Sequence, residues 1–382
     1  MTTKQPFVLM AKPIGSSCNM MCDYCYYRIV DKKPAMMSDE ILELFIHKYI
    51  DESPGPIVQF FWHGGEPTLA GIPFYQKALT YQKKYLPTGW KIWNNIQTNG
   101  LALTDKWCAF LGENNFDIGL SIDGDQASHN FYRHDLDGTD TYQKIVSNIK
   151  LLQSYHVQPD LLCTINAHNV KKPLAVYRAL KALNTGWIQF IPIIEIDGED
   201  NLTKESISAS DYGTFLSTIF DEWIVKDLGK VQIQSFADME LVYNQKPPTV
   251  CQTSKTCGNV LVIENDGSLY ACDHFVSDDY FMGNIQHVNL QEILQSTFQT
   301  DFGQLKAELP ELCNSCRWLK YCYGGCPKNR LKHDDKEKIY HLCEGKRAFF
   351  RHIDKPFNRY MILRNKGFES DKIMNEIKKE YY

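Results

Sequence analysis

Cys18-Asn-Met-Met-Cys22-Asp-Tyr-Cys25 places three thiols within eight residues, just beyond the apolar run Phe7-Val-Leu-Met-Ala11 and a short Lys12–Ser17 stretch. On a loop leaving a strand, three thiolates so spaced can hold three irons of a cubane cluster and leave the fourth iron without a protein ligand. Thiolate sulfur is soft and selects iron–sulfur clusters, zinc or copper(I) over harder cations. Taken alone the motif also suits an incomplete zinc site, so its meaning depends on what the rest of the chain supplies.

Outward from this loop, the first two hundred residues alternate short β-rich runs with helix-like segments, the pattern of parallel strands joined by crossover helices. Strands are predicted at 7–11, 57–62, 91–97, 116–122, 160–165 and 187–194. Six β/α units predict an α/β fold in the form of a partial (β/α)6 barrel. A helix is predicted over 38–50, where Ser38 can cap the first turn. Tyr212, Phe215, Leu216, Ile219, Phe220, Trp223 and Ile224 recur at helical spacing and predict a helix with a broad buried face, bridging two domains. From about Gln245 the composition turns to cysteine and glycine, and the runs 260–263 and 268–272, on either side of Asn265-Asp-Gly267, read as a β-hairpin. The charged stretch after Cys343 reads as a solvated helix face. The expected divisions are a barrel over 1–200, a bridging helical segment over 201–244, a cysteine-rich domain over 245–345 and a helical tail over 346–382.

With 382 residues, 43% of them hydrophobic, the chain can bury a sizeable core. A net charge of −5 supplies no field that would gather nucleic acid or an anionic membrane. The few apolar residues before Lys12 and Pro13 are too short for a secretory signal and no stretch approaches a membrane span, so a cytoplasmic protein is expected. In that reducing compartment thirteen cysteines are metal ligands or catalytic groups rather than disulfides. Cys108 and Cys163 stand apart in apolar surroundings and read as buried small hydrophobes.

Ligands of parallel α/β sheets bind at the carboxyl ends of strands. There the chain carries His63-Gly-Gly-Glu-Pro67, whose glycines let backbone approach a ligand, then Gln97-Thr-Asn-Gly100 and Ser121-Ile-Asp-Gly124. Tight turns explain the glycines; a mouth holding a polar cofactor also explains the polar side chains. Arg133 is a candidate partner for a carboxylate, which a guanidinium pairs bidentately. Downstream, Cys251, Cys257, Cys272, Cys313, Cys316, Cys322, Cys326 and Cys343 suffice for two tetrathiolate sites, of zinc or of iron and sulfur. Asp273 directly follows Cys272, either as a turn cap or as a general base tethered beside a metal centre.

The C-x3-C-x2-C loop, the Gly-Gly-Glu-Pro run and the order of the eight later thiols together resemble the radical S-adenosylmethionine (SAM) enzymes with a C-terminal SPASM extension, most closely the anaerobic sulfatase-maturating enzymes. The resemblance implies three [4Fe–4S] clusters and bound SAM. Cys18, Cys22 and Cys25 would hold the cluster whose open iron chelates SAM. Cys251, Cys257, Cys272 and Cys326 would hold an inner auxiliary cluster, and Cys313, Cys316, Cys322 and Cys343 an outer one. It places SAM near Tyr24, Gly65, Ser121, Arg133 and Ile194. The implied reaction oxidises a peptidyl Cys or Ser of a sulfatase to Cα-formylglycine: a 5′-deoxyadenosyl radical takes hydrogen from the β-carbon, Asp273 removes the thiol or hydroxyl proton, and an electron leaves through the cluster held by Cys272. Implied partners are an unfolded or nascent sulfatase polypeptide and an electron donor such as flavodoxin or ferredoxin, with neither nucleic acid nor membrane. The same radical chemistry on a ribosomally made precursor peptide, giving a crosslink, thioether or epimer, is the alternative; such enzymes often carry an extra N-terminal winged-helix domain, and the 17 residues before Cys18 favour the expectation of a sulfatase substrate. A zinc-stabilised scaffold would instead be colourless and free of iron.

Overall fold

The computed structural model describes residues 4–29, 35–197, 201–332 and 337–382. Its principal strands are β1 (Val8–Ala11), β2 (Met20–Cys22), β3 (Ile57–Trp62), β4 (Lys91–Thr98), β5 (Phe116–Ser121), β6 (Arg133–Asp135), β7 (Asp160–Ile165), β8 (Trp187–Pro192), β9 (Gln232–Ile233), β10 (Val260–Ile263), β11 (Ser268–Tyr270) and β12 (Phe281–Asn284). All six predicted strands are present, with ends shifted by no more than two residues. The chain divides into two units, one of residues 1–121, 132–159 and 256–305, the other of 122–131, 160–255 and 306–382.

In the first unit the sheet runs β12-β11-β10-β1-β3-β4-β5. Alternate residues of β3, Val58, Phe60 and Trp62, are buried, as expected of a strand with one face against helices. The helix Asp39–Glu52 begins where predicted, with Ser38 Oγ accepting from the Ile41 amide at 3.3 Å. Its Phe45 ring meets Phe60 and Trp62 edge-on at 5.6 and 5.9 Å. The predicted hairpin forms, Val262 opposite Tyr270, with Gly267 at φ +84° closing the turn, a conformation that L side chains resist. Its sequence did not reveal that β10 also pairs in parallel with β1, from Val8 opposite Val260 to Ala11 opposite Ile263. The hairpin therefore prolongs the parallel sheet. Short β2 pairs antiparallel with β6, which sets Cys22 opposite Arg133.

The second unit contains the parallel strands β7, β8 and β9. The helix Ala209–Lys226 buries the predicted residues, from Tyr212 through Ile224. It packs on the helix Cys343–Asn365 so closely that a Cβ on Gly213 would come within 2.6 Å of the Gly345 carbonyl. The segment read as a solvated face thus has a buried side, made by Phe349, Phe350, Ile353, Phe357 and Tyr360. Charged residues between them mask the periodicity in the composition.

Candidate active site and cluster-binding residues

The cluster loop is held by short-range geometry and by the neighbouring strand ends. The Cys25 amide donates to the Cys22 carbonyl at 3.1 Å. The Met20 amide lies 3.4 Å and Asn99 Nδ2 3.6 Å from Cys18 Sγ, while the Arg133 guanidinium lies 3.9 Å from Cys22 Sγ. Donors aimed at sulfur favour thiolates, the form that binds metal, so these residues fit a cluster. None of the thirteen cysteines is in a disulfide, and Cys108 and Cys163 are fully buried. Among the described residues no group of three or more His, Cys, Asp or Glu side chains is gathered into a site for a single metal ion.

The His63–Pro67 loop is tied to the cluster loop by backbone hydrogen bonds. Gly65 N donates to the Gly15 carbonyl and Glu66 N to the Ser17 carbonyl, both at 2.8 Å. A Cβ on Gly65 would lie 2.0 Å from the Ser17 oxygen, so no other residue fits without moving the loop. The buried Glu66 carboxylate accepts from Thr68 N at 3.0 Å, Thr68 Oγ1 at 2.5 Å, Thr98 Oγ1 at 2.7 Å and Asn99 N at 2.7 Å. Burial still pushes its pKa up despite these donors. Asn99 in turn reaches Asn19 Oδ1 at 2.8 Å.

Of the residues expected near SAM, Tyr24 and Arg133 meet: the guanidinium lies 5.4 Å from the Tyr24 ring centre, and Tyr24 packs edge-on against Tyr132 at 5.6 Å. Gly65 lies against the same loop. Ser121 is buried at the carboxyl end of β5, and Ile194 is buried two residues beyond β8 in the second unit.

Asp273 sits in a charged network that the sequence did not disclose. Lys12, with no exposed surface, places Nζ 2.7 Å from Asp273 Oδ1, 3.7 Å from Glu264 Oε1 and 3.8 Å above the Tyr27 ring. Tyr26 OH donates to Asp273 Oδ2 at 2.8 Å and Tyr27 OH to Glu264 Oε2 at 2.7 Å. The Lys12 contacts are ion pairs by distance but lie off hydrogen-bond alignment. Burial opposes the charge of Asp273, yet the Lys12 ammonium, aided by His63 and His274, outweighs it and holds the carboxyl well below the usual range. Burial and then Asp273 push the Tyr26 phenol well up, so it remains a donor. Burial likewise holds His63 below its ordinary value, opposed by Asp273. Lys12 and Glu264 immediately follow β1 and β10, so the strand-end rule could have singled them out; their burial is a tertiary property.

In the second unit Cys313, Cys316, Cys322 and Cys343 line one cavity, together with Trp318, Leu319 and Phe350. Burial, then the neighbouring Cys322 and Cys313 thiols, push Cys343 up to about 11, a cost that a cationic metal centre would relieve. This set fits the outer cluster. The four thiols expected at the inner cluster divide between the units. In the second, burial and then the neighbouring Cys326 thiol push the Cys251 thiol up. In the first, Cys257 N bonds the Gly303 carbonyl at 3.3 Å and Cys272 bridges Phe275.

A cysteine loop after the first parallel strand, with thiol sets downstream, defines a radical SAM protein with a cluster-bearing extension. Residues 13–173 match the Radical SAM superfamily and residues 251–317 the SPASM iron-sulfur cluster-binding domain. The chain is 40% identical over 372 residues to a serine-type anaerobic sulfatase-maturating enzyme of Bacteroides thetaiotaomicron, covering 91% of this chain and 90% of that protein. It is 33% identical over 359 residues to a cysteine-type anaerobic sulfatase-maturating enzyme of Clostridium perfringens, covering 91% and 96%. The solved structure of native anSMEcpe with bound AdoMet and Kp18Cys peptide aligns with a TM-score of 0.87 at 32% identity, over 94% of this chain and 99% of that one. The chain belongs to the anaerobic sulfatase-maturating enzymes, and so is a radical SAM oxidoreductase with an α/β parallel-sheet core, SAM and three [4Fe–4S] clusters as cofactors. Streptococcus suis SuiB bound to precursor peptide SuiA, with a TM-score of 0.62 at 14% identity, shares the fold alone.

Proposed function

We propose that this enzyme oxidises a Cys or Ser side chain of a sulfatase polypeptide to Cα-formylglycine, and that Asp273 is its general base. The observation that carries the assignment is the Lys12–Asp273–Tyr26 arrangement, in which a half-buried carboxylate held by a buried ammonium directly follows Cys272. SAM and the clusters, when bound, would supply the hydrogen-abstracting radical and the acceptor of the remaining electron. The chain's own residues do the rest. Arg133, backed by Tyr24, would pair with the SAM carboxylate, and Gly65, with Ser121 and Ile194, would line the same cofactor. Lys12 and Tyr26 fix both oxygens of Asp273 and keep it ionised. So weak a base accepts the S–H or O–H proton only once hydrogen has left the adjacent carbon, when that proton is far more acidic than in the parent side chain.

Peptide-bound anSMEcpe supports a polypeptide substrate. An unfolded or nascent sulfatase is the proposed form, and flavodoxin or ferredoxin the proposed electron donor. Among the described residues no helix is long and apolar enough to cross a membrane; a cytoplasmic location is proposed. The proposed domains are 1–200, 201–244, 245–345 and 346–382. The test is anaerobic reconstitution followed by mass spectrometry of sulfatase-motif peptides bearing Cys or Ser. Mass losses of about 18 and about 2 daltons respectively, as aldehyde formation requires, are expected; crosslinked or unchanged peptides overturn the assignment.

A further inference from the structure

Between Cys322 and Cys326 the backbone is left-handed at three consecutive residues, Tyr323 (φ +43°), Gly324 (+67°) and Gly325 (+64°). A Cβ at Gly325 would strike the Tyr340 ring at 2.5 Å. The carbonyls of this loop turn onto two buried cations, Lys306 and Arg330, 1% and 7% exposed. Lys306 Nζ donates to the carbonyls of Gln252 at 2.9 Å, Gly325 at 2.7 Å and Tyr323 at 3.3 Å. Each carbonyl flanks a cluster thiol: Gln252 follows Cys251, Gly325 precedes Cys326 and Tyr323 follows Cys322. Arg330 donates to the carbonyls of Gly324 at 2.9 Å, Glu308 at 2.8 Å, Lys306 at 2.7 Å and Tyr323 at 3.2 Å. The two cations thus share Tyr323, one residue from Cys322, a ligand of the outer set, and three from Cys326, a ligand of the inner set.

We propose that Lys306 and Arg330 tune the reduction potentials of the auxiliary clusters, holding them high enough to accept the substrate's electron. A [4Fe–4S] cluster gains one negative charge on reduction, and a fixed cation in a low-dielectric surrounding stabilises that state more than the oxidised one. The same contacts make both residues positioning residues of the Cys322–Cys326 loop, which a merely structural role would also explain. Potential, rather than activity, separates the two.

The inference rests on the two auxiliary ligand sets, and iron content checks that basis independently. The experiment is an anaerobic redox titration followed by electron paramagnetic resonance, on holoenzyme carrying Lys306→Gln, Lys306→Arg, Arg330→Gln or Arg330→Lys. Neutral variants that keep wild-type iron are expected to show auxiliary-cluster midpoints shifted to more negative potential, with the signal of the cluster at Cys18, Cys22 and Cys25 unmoved. The charge-retaining variants should titrate as wild type. Unchanged auxiliary midpoints in a neutral variant overturn the proposal. So does loss of iron from both neutral variants with iron retained in both charge-retaining ones, which would leave the cations as staples of the ligand loop.

Discussion

The Lys12 ammonium lies 2.7 Å from the Asp273 carboxylate and 3.7 Å from that of Glu264, with no part of Lys12 or Glu264 exposed. Removing one partner of such a buried group strands the others. Lys12→Met is expected to destabilise the enzyme by about 3–5 kcal/mol, read as a fall in Tm by anaerobic calorimetry. Adding Glu264→Gln should recover part of the loss. A single variant within about 1 kcal/mol of wild type would mean that the network carries little weight.

Asp273→Asn would remove the proposed proton acceptor while keeping an oxygen that can accept from Tyr26. Formylglycine formation is expected to fall by roughly 10²–10⁴-fold, while release of 5′-deoxyadenosine from SAM continues. Both products can be quantified by chromatography in one reaction. Product and deoxyadenosine falling in equal proportion would assign Asp273 to SAM binding or cleavage instead.

Gly65→Ala forces a Cβ to within 2.0 Å of the Ser17 carbonyl, and backbone cannot yield as a flexible side chain would. The cluster loop should shift, and the variant should lose iron from the Cys18–Cys25 site, about a third of the total if the three clusters are equal in size. Mössbauer or electron paramagnetic resonance spectra identify which cluster is missing. Full iron with wild-type SAM cleavage would show that the two loops can part without harm.

Glu222 accepts from Arg178 Nε and Nη2 at 2.9 and 2.5 Å and lies near Lys226. The Arg178 guanidinium, against the opposing effect of burial, holds its pKa at about 2, below the ordinary 4.5. A depressed carboxylate contributes stability that is complete above its unfolded pKa and is lost as pH falls through the folded one. The stability gap between wild type and Glu222→Gln should therefore shrink as pH drops from about 5 towards about 2. Thermal melts at stepped pH test this, and a gap constant across that window contradicts it.

The sheet and both thiol groups were legible because their signals are local. Ile57–Trp62 and Asp160–Ile165 are apolar runs of strand length, and their predicted ends coincide with the observed ones. Ser38 announces its helix by residue type and position. What remained hidden is set by burial and long-range pairing. Nothing in Ala11-Lys12-Pro13 shows that the lysine is enclosed, and Glu264 meets it only because β10 lies beside β1 across some 250 residues of chain. Phe349 and Phe357 on the last long helix were masked by the charged residues around them.

The parallel seam between β1 and β10 bears on how the protein can be dissected or evolve. Cut away at residue 245, the amino-terminal portion would present a naked strand border where Val260–Ile263 had been, an invitation to stick to other molecules. A modular transplant of the cysteine-rich part onto a foreign barrel would have to bring a compatible first strand with it. The seam ties Val8–Ala11 to Val260–Ile263, so neither segment can be exchanged without the other.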